Sequence, residues 1–397
     1  MSGFFNADSW CSKKTRTHTI AHCGKCGLHK KCYTPKMQPT GTGKRKILFV
    51  GNVPDREEDR QGKHLVGESG IRLTDLVRDA RVKIDDCWKT NAVICNPSGE
   101  PTSEHVTCCT PNLLRTIQEL QPKVIISLGK NATDSILGPL WHDSMKGIAR
   151  WAGFQLPIAK FNAWVCPTFD MMDLINAKDD ELISGITKRH IADAMKMEHE
   201  AVEAPTLDEL KERVDILHDD RQIKRRLRAL YAKKGQLAFD YETTGLKPEH
   251  HKQEIVSCSF CYEGNDTFAF MVKNDYATHI RKVLTNPKLK KIASNMKFEE
   301  RWTVEKLGYH VVNWHWDTML AAHVLDNRTG VTSVKFQTFV MLGIGNYSSH
   351  IEPYLKSKTA NGLNRIRELT VDDLLIYNGL DSIVEFLVAQ KQKEMIC

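Results

Sequence analysis

Twice along this chain, short apolar runs bounded by turn residues alternate with segments of helical period, and this rhythm constrains the fold more than any other feature. In the first set, residues 46–51, 90–95, 123–129 and 164–169 read as strands, with helices over 71–82 and 113–120. Helices interleaved with strands return the chain in one direction, which predicts a three-layer α/β domain with a largely parallel sheet. The second set opens with a strand at 237–246 and continues with strands at 255–261, 267–272 and 291–294. Its helices are expected over 276–284, 298–307, 318–325, 334–342 and 374–392. Between the two sets the pattern is helical and heavily charged, and Thr206-Leu207-Asp208-Glu209 forms a capping box there. The expected organisation is a domain over 1–175, a charged helical connector over 176–234 and a second α/β domain over 235–397. The connector's Lys224-Arg225-Arg226 and Arg228 are either a phosphate-facing cluster or a solvated helix face.

A chain of 397 residues is long enough for two or three domains at about 150 residues each. The net charge of +7 fits a polyanion-binding protein without requiring one. No run approaches the ~18 apolar residues of a membrane span. Met1-Ser2-Gly3-Phe4-Phe5-Asn6 also lacks the layout of a signal peptide, so an intracellular protein with no membrane partner is expected. In that setting twelve cysteines argue for metal ligation by some of them rather than a disulfide framework. Cys11, Cys23, Cys26, Cys32, Cys87, Cys95, Cys108, Cys109 and Cys166 fall in the first half. The arm over 1–45, rich in Cys, His, Lys and Thr and poor in apolar periodicity, calls for a metal to order it. Cys258 and Cys261 sit three apart in a strand, on opposite faces, and read as core residues.

The sharpest chemical signal is Asp240-Tyr241-Glu242, at the end of the strand that opens the second set. Side chains two apart on a strand point the same way, about 6.6 Å apart at ~3.3 Å per residue. Two such carboxylates can hold hard divalent cations, and paired cations about 4 Å apart assist phosphoryl displacement. Three later groups extend the pattern: Asn295-Met296-Lys297-Phe298-Glu299, Asp317-Thr318-Met319 and Tyr377-Asn378-Gly379-Leu380-Asp381. Tyr377 and Asp381, four apart on a helix, share a face.

In this order the motifs resemble the proofreading 3'-5' exonuclease domain of DNA polymerase I type enzymes, the DEDDy branch of the RNase H-like nucleases, over about 225–395. The resemblance implies an RNase H-like domain with a mixed sheet and a catalytic set of Asp240, Glu242, Glu299, Tyr377 and Asp381. Two Mg²⁺ or Mn²⁺ ions are implied: Asp240 bridges them, Glu242 and Asp381 hold the inner one, and Glu299 serves the second. Tyr377 is implied to orient the attacking water. Thr243, Leu246 and Asn295 are implied to meet nucleic acid. Glu299 stands where the family usually has Asp. Asp317 is the alternative ligand, a helix N-cap being its other role.

The first half is similar to the iron-sulfur uracil-DNA glycosylases over about 10–175. Cys23-Gly24-Lys25-Cys26, Gly51-Asn52-Val53-Pro54, residues 62–70, Thr90-Asn91 through Cys95, and Cys109-Thr110-Pro111 carry the likeness. It implies a [4Fe-4S] cluster on Cys23, Cys26, Cys95 and Cys109, with zinc as the alternative and Cys108 competing with Cys109. Asn91 remains of the base-reading set. The family's stacking aromatic is matched by Leu65, its catalytic strand-end residue by Asn52, and its histidine by Asp170. Because base excision stacks and hydrogen-bonds a flipped base, a DNA-binding or structural module is expected here.

The combined reading is a metal-dependent 3'-5' exonuclease acting on single-stranded DNA 3' ends and releasing nucleoside monophosphates, as in proofreading and DNA replication. Such a pairing resembles the N-terminal side of some phage DNA polymerases. No polymerase palm follows the last helix, so a free-standing protein or one part of a split polymerase with a separate polymerase subunit is expected. If phage-encoded, it belongs in the host cytoplasm. The alternatives are a uracil-DNA glycosylase in base excision repair and a non-catalytic DNA tether of a split polymerase.

Overall fold

The computed structural model describes residues 21–78, 82–141, 143–178, 180–345, 347–359 and 361–396. Cys11, Cys397 and positions 79–81 of the expected helix 71–82 lie outside the described residues. Contacts divide the chain into two compact units: the described residues up to Gln155 with Lys160–Val202, and Leu156–Ala159 with Glu203 onward. Among the described residues no helix is long and apolar enough to cross a membrane.

The first sheet has five strands, β1 (Ile47–Gly51), β2 (Trp88–Asn91), β3 (Val124–Leu128), β4 (Leu156–Ile158) and β5 (Ala163–Thr168), in the order β2-β1-β3-β5-β4. β2, β1, β3 and β5 run parallel. β1 and β3 are buried along their whole length, as strands covered on both faces must be. The expected strand 90–95 leaves the sheet at Asn91. Ala92 and Val93 then hydrogen-bond to Gly51 and Asn52 carbonyls at 2.8 and 3.1 Å, and this bend delivers Cys95 to the end of the sheet.

The stretch 176–234 differs from its expectation as a connector. Helix Glu181–Lys196 buries Thr187, Ile191, Ala194 and Met195, and the last three join the core formed by Ile47, Phe49, Val124 and Ile126. The capping box opens helix Leu207–Glu212: Glu209 N–H donates to Thr206 Oγ1 at 3.2 Å and Thr206 N–H to Glu209 Oε2 at 2.7 Å. A strand, β6 (Val214–Leu217), follows, and helix Asp220–Tyr231 buries Ile223, Leu227 and Leu230 in the second unit's core. The basic cluster on that helix is partly neutralised: Arg226 pairs with Asp215 and Asp266 at 2.7 and 2.5 Å, and Lys224 lies 3.9 Å from Asp275.

The second sheet is mixed. β7 (Gly235–Thr243), β8 (Ile255–Tyr262), β9 (Asp266–Met271), β10 (Leu289–Ala293) and β11 (Trp314–Asp317) join β6 in the order β11-β10-β7-β8-β9-β6. β7 runs antiparallel to β8 and parallel to β10, so the carboxylate-bearing strand is internal. Its alternation sorts the two faces. Leu237, Phe239 and Tyr241 enter a core with Phe260, Phe268 and Phe270. Ala238 enters the opposite core with Leu380, Ile383 and Val384 of the long last helix, Val371–Ile396. Asp240 and Glu242 share the parity of Ala238 and therefore face that helix. Cys258 and Cys261 fall in these two different cores, as their spacing predicts. The helix is held close at two points: Ser259 Oγ donates to the Asn378 carbonyl at 2.7 Å, and a Cβ at Gly379 would lie 2.3 Å from Val214 Cγ1. Only glycine permits that approach.

Phe239 is fully buried and stacks on Trp314 with ring centroids 5.4 Å apart. Phe239→Ala is expected to destabilise the second unit by about 3–5 kcal/mol, measured as a lowered urea midpoint for that unit's transition.

Candidate functional site

The acidic site is built where the end of β7 meets the last helix. Asp240, Glu242 and Asp381 each offer an oxygen within 4.8 Å of the others, the one such acidic group among the described residues. Asn378 Nδ2 donates to Asp240 Oδ2 at 2.7 Å, and Tyr347 OH donates to Asp381 Oδ1 at 2.6 Å. Tyr377 also faces Asp381, and its ring stacks on Tyr347 with centroids 6.2 Å apart. Glu299 lies on helix Met296–Trp302, buried and close enough to Asp240 for their charges to repel, but outside the tight trio.

Burial pushes every one of these carboxyls up, and repulsion from neighbouring carboxylates adds to it for Asp240, Glu242 and Glu299. Asp240 is raised by enclosure of its carboxylate and then by Asp381, against the hydrogen bond from Asn378. Glu242 is raised by burial, then by Asp240 and Asp381. Asp381 is raised by burial, while Lys335 and the two tyrosines oppose the shift. Lys335 is itself engaged by Glu352 at 2.9 Å. Closely packed carboxylates with so little cationic compensation suit hard divalent ions, which take oxygen ligands.

Asp317, the alternative ligand, is occupied otherwise. It accepts from the N–H groups of Asn295, Met296, Met319 and Leu320 at 2.9, 3.1, 2.9 and 3.2 Å. One carboxylate thus caps helix Thr318–Leu325 and clamps the start of the Glu299 helix, where Asn295 takes a left-handed conformation at φ 64°. Of the positions expected to meet nucleic acid, Leu246 is 66% exposed, whereas Thr243 is buried with Oγ1 donating to the Gly245 carbonyl at 2.7 Å. Tyr347, Lys335, Asn378 and Glu385 escaped sequence reasoning. Asn378 and Glu385 alone carried a signal, lying on the face or turn adjoining Tyr377 and Asp381.

In the first unit Cys23, Cys26, Cys95, Cys108 and Cys109 line one cavity with His29, Lys36 and Asn112. Cys23 and Cys26 ride a single helical turn closed by Gly27, at φ 70°. Cys95 Sγ accepts from Lys36 N–H at 3.2 Å and Cys109 Sγ from Asn112 Nδ2 at 3.7 Å, contacts that suit thiolates. Cys95 is pushed up to about 12 by burial, so only a bound cation would hold it as thiolate near neutrality. Among the described residues no three of these sulfurs lie within 4.8 Å of one another.

The pocket at the carboxyl ends of β1 and β2 is internally occupied. Asn91 Nδ2 lies 2.9 Å from His64 Nδ1 and donates to Glu58 Oε2 at 3.3 Å, leaving Oδ1 buried without a partner. Leu65 packs into the core and presents no ring. Asn52 Nδ2 donates to Asp170 Oδ2, and Asn52 Oδ1 accepts from Ala132 N–H at 3.1 Å.

A cysteine-lined α/β unit and a mixed-sheet unit with an acidic cluster define a nucleic-acid-processing protein of two parts. The uracil DNA glycosylase superfamily model matches residues 39–259, and a 3'-5' exonuclease model matches 214–396. The chain belongs to the uracil DNA glycosylase superfamily and continues into a 3'-5' exonuclease domain; the structure places the shared residues 214–259 in the second unit. It is 36% identical to the type-4 uracil-DNA glycosylase of Archaeoglobus fulgidus over 119 residues, 30% of this chain and 59% of that protein. With the type-4 enzyme of Pyrobaculum aerophilum it shares 32% over 155 residues, 38% and 78% of the two chains. Among solved structures, the catalytic core of RRP6 from Trypanosoma brucei aligns with a TM-score of 0.37 at 14% identity, over 46% of each chain. RNase D of Escherichia coli aligns at 0.36 and 14%, over 46% and 44%.

Three groups near the first unit's pocket set its response to pH. Burial raises Glu58 to about 7, with Asp55 adding to it, and raises Asp170 to about 6, while burial lowers His64 to about 4. For the two carboxyls the folded value lies above the unfolded one, so their stabilisation is complete below about pH 4 and is lost as pH rises through 6 and 7. His64 acts oppositely, losing stability as pH falls from 6.5 to 4. Glu58→Gln is expected to recover up to roughly 3 kcal/mol at pH 8 and little at pH 5, read from denaturant titrations of the first unit at both pH values.

Proposed function

We propose that the second unit hydrolyses DNA from its 3' end, releasing nucleoside monophosphates one at a time. The observation that carries this is the trio of half-buried Asp240 with buried Glu242 and Asp381, their oxygens within 4.8 Å of one another. Asp240, Glu242 and Asp381 would hold one Mg²⁺ or Mn²⁺, and Asp240 with Glu299 a second. Bound there, the cations supply Lewis-acid stabilisation of charge on the phosphate and make a water nucleophile more acidic. The protein's own groups set the geometry: Asn378 fixes the Asp240 carboxylate and Tyr347 that of Asp381. Burial and the neighbouring carboxylates raise Tyr377 well above an ordinary phenol. It therefore stays protonated and orients a water by hydrogen bonding instead of deprotonating it.

DNA as substrate is supported by the union with a unit whose relatives are uracil-DNA glycosylases. That unit serves as a DNA-binding or structural module carrying a [4Fe-4S] cluster on Cys23, Cys26, Cys95 and Cys109. A single tetrahedral zinc would draw its sulfurs to about 3.8 Å from one another, given Zn–S bonds of ~2.3 Å, and the wider set supports the larger group. The buried Leu65 and the Asn52–Asp170 pair support the loss of base excision. Proofreading beside a separate polymerase is the role this combination fits.

End-labelled single-stranded DNA is expected to shorten from its 3' end with Mg²⁺ or Mn²⁺ and to stay intact with EDTA, faster than RNA of the same sequence. Asp240→Ala with Glu242→Ala should slow digestion at least roughly a hundredfold, and retained digestion would sink the proposal. Tyr377→Phe should slow it by about a hundredfold or less. Iron analysis and visible absorption should report a cluster that Cys109→Ser abolishes and Cys108→Ser keeps. Uracil-containing DNA should acquire no alkali-sensitive sites.

A further inference from the structure

Glu385 stands four residues beyond Asp381 on the last helix, on the same face. It is 2% exposed, as is Glu299. Its Oε1 accepts from Ser294 N–H at 3.1 Å, whereas Oε2 is buried without a hydrogen-bond partner. Glu299 Oε2 is likewise buried and unpartnered. The sheet register brings these groups to Asp240: Ile292 pairs with Ala238 in the parallel β10–β7 ladder, so Ser294, two residues on, arrives beside Asp240. The charges of Asp240, Glu299 and, more weakly, Asp381 all act on Glu385. Lys335 acts on Glu242 and Asp381.

The acidic site therefore has two sides. The first, Glu242 and Asp381, feels a lysine and two phenols. The second, Glu299 and Glu385, has two buried oxygens with nothing to accept from, beside a third carboxylate. Burying an unpaired carboxylate is costly unless a cation or a proton joins it. A hard cation held by Asp240 and Glu299 alone fills its remaining positions with water or substrate oxygens, and a third carboxylate in reach can take one of them.

We propose that Glu385 is a ligand of the second divalent cation, the ion drawing its carboxylate together with those of Asp240 and Glu299, which do not by themselves form a group within 4.8 Å. The assignment rests on the metal-dependent nuclease reading and adds a fifth carboxylate to it. A role confined to holding the Ser294 N–H would need only a neutral acceptor, which glutamine also provides.

Mn²⁺ titration of the full chain, followed by electron paramagnetic resonance, separates these possibilities. The wild type should bind two Mn²⁺. Glu385→Gln should keep the tighter ion at unchanged affinity and weaken the other by roughly ten- to a hundredfold, at least what loss of an outer-shell partner costs. In EDTA this variant should melt no lower than wild type, because it removes a repelled charge and keeps the acceptor for Ser294. Should it melt lower, Glu385→Asp carries the same test, retaining charge with a shortened reach and weakening the second ion alone. Equal binding of both ions by wild type and Glu385→Gln overturns the assignment and leaves the nuclease reading intact. Absence of Mn²⁺ binding by the wild type overturns both.

Discussion

Repulsion among buried carboxylates organises the second unit. Enclosure raises Asp240, Glu242, Glu299, Asp381 and Glu385 above their ordinary range, and in all but Asp381 the charge of neighbouring carboxylates adds to it. Such a cluster persists only in a scaffold that leaves its members no retreat. β7 is internal to the sheet, its odd positions locked among Phe260, Phe268 and Phe270, so Asp240 and Glu242 cannot turn outward without dismantling that core. Across from them, the close approach at Gly379 and the Ser259–Asn378 hydrogen bond hold the last helix against the sheet. The packing thus favours a ligand that would offset these charges, as a divalent cation does.

Within each unit, enclosed acids are separated by how their lone pairs are used. Asp317 accepts four backbone N–H groups and is saturated. Asp170 caps a helix by accepting from Met172 N–H at 3.0 Å and also takes the Asn52 amide, while Glu58 accepts from Asn91. These carboxylates hold loops and helix starts together. Glu299 and Glu385 each keep a buried oxygen with no donor. Glu58 is as buried as Glu299 and Glu385, so burial alone does not distinguish them; hydrogen-bond satisfaction does.

Much of this was legible in the sequence. The period of two over 237–243 placed Asp240 and Glu242 on one face, and the i to i+4 step joined Tyr377 to Asp381, because both relations are local. Tyr347 reaches Asp381 across 34 positions from a loop without periodicity, so no pattern could announce it. The stretch 176–234 misled for another reason. Its exposed charges hid a buried stripe at Thr187, Ile191, Ala194 and Met195, and β6 is only four residues long at a sheet edge, too short to alternate visibly. The cysteines were placed by family resemblance; spacing alone could not choose between Cys108 and Cys109, and both line the cavity.

The bond between Ser294 and Glu385 uses a main-chain donor. Any residue at 294 except proline supplies that N–H, so drift at 294 leaves no compensating trace at 385. Searches for co-varying pairs are blind to such a link. The position would look freely mutable until the single imino acid that cannot donate arrived there.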